Sequence, residues 1–150
     1  MTISRRVLCL IYALIAALAL VGTWGNNVAY LSDRGFLDSN LRFWADTLAN
    51  PASRSITVDI FFLALAVFVW MLLEARRLGM RGVWLYWVFG MLVAISVTVP
   101  VFLINRERAL ARRDGSRGAG TLSRADAAGL FLVGLATVAY AALTLGRPLL

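Results

Sequence analysis

Of the 150 residues, 61% are hydrophobic and 15% are charged, the net charge is +7, and the mean hydropathy is +0.78. Soluble domains carry roughly 45–50% apolar and about 25% charged residues. A water-facing globule of this size could not hide the excess, and a bilayer can, so the chain reads as an integral membrane protein. All 15 basic residues are arginine, with neither lysine nor histidine present. Schiff-base chemistry, a P-loop lysine, Ser-His or Cys-His nucleophile pairs, imidazole zinc sites and histidine-ligated haem are thereby excluded. The single cysteine, Cys9, excludes an intramolecular disulfide, a CxxC pair and a cysteine-ligated cluster. No catalytic residue, metal or cofactor is therefore expected.

Four apolar segments, 7–24, 56–73, 83–104 and 127–145, run for 18–22 residues each. As helices they reach about 27–33 Å, which matches a hydrocarbon core of about 30 Å. Backbone polar groups in lipid must be satisfied within the segment, so each run reads as a helix. The expected fold is all-α, a single domain over 1–150 built as a bundle of four transmembrane helices. Arg5 and Arg6 precede the first run, yet no small-x-small cleavage site follows it, so an uncleaved first span is expected.

In the first loop, Asp38, Ser39 or Asn40 is placed to cap a short helix ending at Asn50-Pro51. Leu41, Trp44 and Leu48 share one face of it, which suits either a helix lying at the membrane surface or one packed on the bundle. The short connection 74–82 makes spans two and three a tight antiparallel hairpin. Six arginines occupy the basic loop 105–126, whose Gly-Ser-rich middle, 114–120, is expected to be mobile. With four crossings and a cytoplasmic N-terminus, six arginines fall inside and nine outside. Reversing the chain improves that count but conflicts with Arg5-Arg6 ahead of the first span, so orientation stays open.

Asp59 is the only acid within a predicted span. An intramembrane carboxylate is a functional-site hypothesis by default, although here it lies one turn from a helix start. The expected hairpin places the start of span two beside the end of span three. It therefore predicts an interfacial ion cluster of Asp59 with Arg106 and Glu107, read as a structural pin or as a proton-transfer site. At the opposite face Glu74, Arg76, Arg77 and Arg81 form a candidate loop cluster suited to lipid phosphates or an acidic partner. Pro100 is expected to kink span three. Gly90, Ala94 and Thr98 in span three, and Gly134, Thr137 and Ala141 in span four, form small-residue stripes for helix packing. The tryptophans lie mostly near span ends, as in an aromatic belt.

Residues 43–110 resemble a bacterial family of small membrane proteins known as domain of unknown function 2834. The resemblance rests on Ala49-Asn50-Pro51, Asp59, Glu74-Ala75-Arg76-Arg77-Leu78-Gly79-Met80, Pro100-Val101-Phe102-Leu103 and Arg106-Glu107-Arg108. It implies a multi-pass membrane protein, supplies no activity, and leaves span four as an extension beyond the family.

The leading expectation is a non-catalytic accessory or helix-packing component of the bacterial inner membrane. Its expected partners are anionic lipids and either another membrane protein or a second copy of the chain, with no nucleic acid. One rival is a small proton-coupled carrier like the compact four-helix multidrug exporters. Those place an acid inside the first span, where this chain has none, so Asp59 would have to serve. The last-ranked rival is an intramembrane lipid or terpenoid enzyme using Asp59 or Glu74 as a general acid. Nearby arginine favours the ionised form and argues against it.

Overall fold

The computed structural model describes residues 2–31, 35–114 and 120–146. Among them are six α-helices: α1 (Arg5–Asn27), α2 (Phe36–Asp46), α3 (Pro51–Leu78), α4 (Val83–Leu92), α5 (Ile95–Asp114) and α6 (Arg124–Leu145). A two-residue antiparallel pairing of β1 (Thr2–Ile3) with β2 (Gly120–Thr121) ties the start of α1 to the start of α6. Positions 115–119 of the expected mobile segment lie outside the described residues.

Local sequence sets the ends of the long helices. Ser4 Oγ accepts from the Val7 amide to start α1. Asn50 and Ser53 form a reciprocal capping box around Pro51 at the start of α3, and Gly79 ends that helix in the left-handed region at φ 66°. Ser123 and Asp126 cap α6 in the same way. Helices α1, α3 and α6, of 23, 28 and 22 residues, are long and apolar enough to cross a membrane. Their outward faces are apolar and open, as at Phe62 (69% exposed) and Leu132 (63%).

Helix α2 begins at Phe36, ahead of the expected caps, which puts Asp38 inside its first turn, and Asn50 caps α3 instead of ending α2. Trp44 stacks on Phe61 of α3 with ring centroids 5.7 Å apart, and the Tyr30 hydroxyl donates to Asp46 at 2.8 Å. Helix α2 therefore rests on the bundle, where α1 ends and α3 begins.

The third apolar run departs from expectation. It is not one helix over 83–104: it breaks at Val93–Ala94 and folds back. Tyr86 meets Phe102 edge-on at 5.4 Å, Asn105 donates to the Tyr86 hydroxyl at 2.6 Å, and Gly90 lies against Thr98. These pairings run in opposite senses about the break, so α4 and α5 form an antiparallel helical hairpin. Pro100, expected to kink this run, sits within α5, six residues beyond the break. At the break, the Val93 carbonyl accepts from the Trp24 indole at 3.1 Å, and the Ala94 carbonyl accepts from the Thr98 amide at 3.1 Å and hydroxyl at 3.3 Å. Satisfying those carbonyls allows a helix to stop among apolar surroundings.

The core lies where this hairpin packs on α3. Ala64, Phe68, Met71, Ala75, Val83 and Phe102 form it, with Met71 and Phe102 fully buried. Helix α1 runs antiparallel along α5, with Arg5 beside Glu107 and Trp24 beside Val93. Helix α6 touches α1 near its C-terminal end, where Asn26 donates to Thr144 at 3.3 Å and Gly22 faces Ala141.

The fold-back puts the ends of α3 and α5 at one end of the bundle with the starts of α1, α4 and α6. Ten described arginines gather there: Arg5 and Arg6; Arg76, Arg77 and Arg81; Arg106, Arg108, Arg112 and Arg113; and Arg124. The opposite end holds Arg42 and Arg54.

Candidate functional site

At the arginine-rich end a buried charge cluster joins three helices. Glu74, near the end of α3, is 7% exposed, and Glu107 of α5 is 3% exposed. Glu74 is held bidentately by Arg77 one turn on, with Nε and Nη2 each 2.6 Å from a carboxylate oxygen. Arg106 bridges both acids, its Nε donating to Glu74 at 2.7 Å and its Nη1 to Glu107 at 2.7 Å. Arg5 of α1 donates to the other oxygen of Glu107 at 2.8 Å. The Arg106 guanidinium also lies 6.0 Å from the centroid of the Trp70 ring.

Two carboxylates face three guanidinium groups, so buried negative charge is matched on every side. Isolated ions in such surroundings are costly, and removal of one member strands its partners. The arrangement acts as a clamp. It fixes the rotation of α5 against α3 through Glu74–Arg106 and the start of α1 against α5 through Arg5–Glu107.

The expected Asp59–Arg106–Glu107 cluster is not assembled. Asp59 is exposed, fifteen residues before Glu74 on α3, about 22 Å along the helix. The physical reason is the break at Val93–Ala94: a chain that turns back returns its polar end to the side it left, delivering Arg106 to Glu74. Of the candidate loop cluster, Glu74 and Arg77 join the clamp. Arg76 is exposed, and Arg81 lines a separate cleft.

The two packing stripes also divide. Gly90, Ala94 and Thr98 do not share one helix, because Gly90 lies in α4, Ala94 at the break and Thr98 in α5. Gly90 and Thr98 still face each other, since a Cβ at Gly90 would lie 3.1 Å from the Thr98 hydroxyl and 3.2 Å from Phe68. In α6, Ala141 faces Gly22 of α1, whereas a Cβ at Gly134 would meet nothing within 4 Å and Thr137 is exposed, returning its hydroxyl to Val133.

Sequence reading missed Arg5 as a member of the clamp. Its partner lies 102 positions away, and Arg5-Arg6 reads equally well as a plain topogenic pair. It also missed Trp24 as the donor that seals the break. The only available signal was an indole able to bond a free carbonyl.

No curated protein and no solved structure matches the chain. The family described as Protein of unknown function DUF2834 matches residues 11–108, reaching further toward the N-terminus than the motifs at 43–110 and taking in most of α1. That segment contains α3, the α4–α5 hairpin as far as Arg108, and every member of the clamp except Arg5, so the chain belongs to the DUF2834 family.

Proposed function

We propose that this chain is a non-catalytic, multi-pass component of the bacterial inner membrane that works by helix packing. In this reading α1, α3 and α6 cross the bilayer, and the α4–α5 hairpin enters and leaves from the arginine-rich end. Helix α4 has ten residues, about 15 Å, which is half a crossing. The positive-inside rule then favours a cytoplasmic arginine-rich end, N-terminus included. The conflict between loop counts and Arg5-Arg6 belongs to four straight crossings and vanishes with the hairpin.

The observation that carries the packing role is the open face of α6. Gly134 and Thr137 present a small, close-approach surface: a Cβ at Gly134 would meet nothing within 4 Å, and Thr137 is exposed. Such surfaces associate in lipid through backbone proximity and dispersion contacts. The occupant is a helix of a partner membrane protein or of a second copy. The carrier and enzyme alternatives have less support, because Glu74 is engaged by Arg77 and Arg106 and Asp59 stands apart from the clamp.

Native mass spectrometry of gently extracted protein tests this reading. A stoichiometric partner or a homo-oligomer, lost in Gly134→Ile with the unfolding temperature unchanged, is the expected result. A monomer without partners, together with proton-coupled uptake into vesicles that Asp59→Asn abolishes, would overturn it in favour of the carrier.

A further inference from the structure

Two clefts meet on the face of the α4–α5 hairpin. The first, about 480 Å³, opens at the arginine-rich end and is lined by Arg81, Arg112 and Arg113 with Tyr86 and Asn105. The second, about 390 Å³, runs from Arg81 and Tyr86 toward the break, between Leu85 and Phe89 of α4 and Val97 and Val101 of α5. Arg81 and Tyr86 line both, so the two adjoin. Positions 97, 101, 105, 109 and 112 follow one face of α5, apolar near the break and basic at the mouth.

The mouth is unsatisfied cationic space. Arg81 and Arg112 have no carboxylate partner among the described residues, unlike the arginines of the clamp. Arg113 is anchored by donating to the Arg77 carbonyl at 2.8 Å, which holds its guanidinium over Gly79. The Tyr86 hydroxyl accepts from Asn105, leaving its own proton to donate, while the Asn105 carbonyl accepts from Arg108 at 3.4 Å. Helix α4 starts beside the mouth with no side-chain cap, so its dipole adds to the positive field.

We propose that this composite cleft binds one anionic phospholipid, with the phosphate among Arg81, Arg112 and Tyr86 and an acyl chain in the groove between α4 and α5. Charge complementarity selects an anionic headgroup. The apolar continuation selects a lipid over a free anion, since soluble phosphate gains nothing from Phe89, Val97 and Val101. The inference needs the hairpin to lie in the bilayer but does not depend on what covers α6.

The test is native mass spectrometry of the detergent-purified protein with phosphatidylglycerol and phosphatidylcholine added at equal concentration. The wild type is expected to retain one phosphatidylglycerol with about thirty-fold preference, two interfacial arginines each contributing. Arg81→Gln/Arg112→Gln, which touches neither clamp nor core, should abolish the preference. Val101→Trp fills the groove and should lower retention of phosphatidylglycerol about tenfold by displacing about two methylenes. Circular dichroism melting checks that both variants fold like the wild type. Absence of preference in the wild type, or a preference that survives the double substitution, would overturn the proposal. So would displacement by millimolar inorganic phosphate with retention indifferent to Val101→Trp, which marks a site for free anions alone.

Discussion

Replacing Arg106 by glutamine removes the one side chain that bonds both buried carboxylates. Taking one partner from a buried ion pair costs about 3–5 kcal/mol. Here each acid keeps a second arginine, Arg77 for Glu74 and Arg5 for Glu107, and the Arg106 side chain is 26% exposed. Solvent and the remaining partners reduce the expected loss to about 2–3 kcal/mol, including a few tenths from the Trp70 contact. In a chain of this length that lowers the melting temperature by about 4–12 °C. The assay is thermal unfolding in detergent followed by circular dichroism. Arg108→Gln is the control: its one described contact is a 3.4 Å bond to Asn105, and it should cost under about 0.5 kcal/mol. A double-mutant cycle of Glu107→Gln with Arg5→Gln should return a coupling of about 1–2 kcal/mol. Equal losses for the Arg106 and Arg108 variants, or no coupling in the cycle, would refute the clamp.

Further predictions concern the hairpin and the lone acid. Gly90→Ala should destabilise by about 1–3 kcal/mol, because its methyl meets Thr98 and Phe68 within 3.2 Å, whereas Gly134→Ala should be neutral in the monomer; melting curves of the two variants check the contrast. Trp24→Phe leaves the Val93 carbonyl without its donor and should cost about 1–2 kcal/mol, with faster amide exchange across residues 93–97. Asp59→Asn should change stability by less than about 0.5 kcal/mol, since no described residue pairs with it, and a melting shift like that of Arg106→Gln would contradict its placement.

The three helices long and apolar enough to cross a membrane were legible because their signals are local. Unbroken hydropathy over 7–24, 56–73 and 127–145 is enough to place α1, α3 and α6, whereas the caps at Ser4, Asn50 and Ser123 set their true starts, and Asn50-Pro51 reads in the sequence as the end of the loop helix instead. The run 83–104 carries the same unbroken hydropathy, but hydropathy is blind to a change of direction. Its break is set by tertiary contacts: the Trp24 indole on the Val93 carbonyl, the Thr98 hydroxyl on the Ala94 carbonyl, and the close approach of α5 to Gly90. Pro100 signalled an irregular helix yet not its position. One misread direction then displaced the candidate site, because Arg106 and Glu107 were legible as residues that matter while their partner was assigned to the wrong end of α3. Glu74–Arg77 was legible since a three-residue spacing fixes it without knowledge of the fold.

The clamp, the arginine asymmetry and the composite cleft all follow from the reversal at Val93–Ala94, so the most direct test is topological. In a Cys9→Ser background, single cysteines at Ala49→Cys, Arg81→Cys and Arg124→Cys are labelled with a membrane-impermeant maleimide in intact and in opened cells. The hairpin predicts that Arg81→Cys and Arg124→Cys react from the same side, the cytoplasm, and Ala49→Cys from the other. Labelling of positions 81 and 124 from opposite sides would mean that 83–104 crosses the bilayer as one helix and would contradict the account.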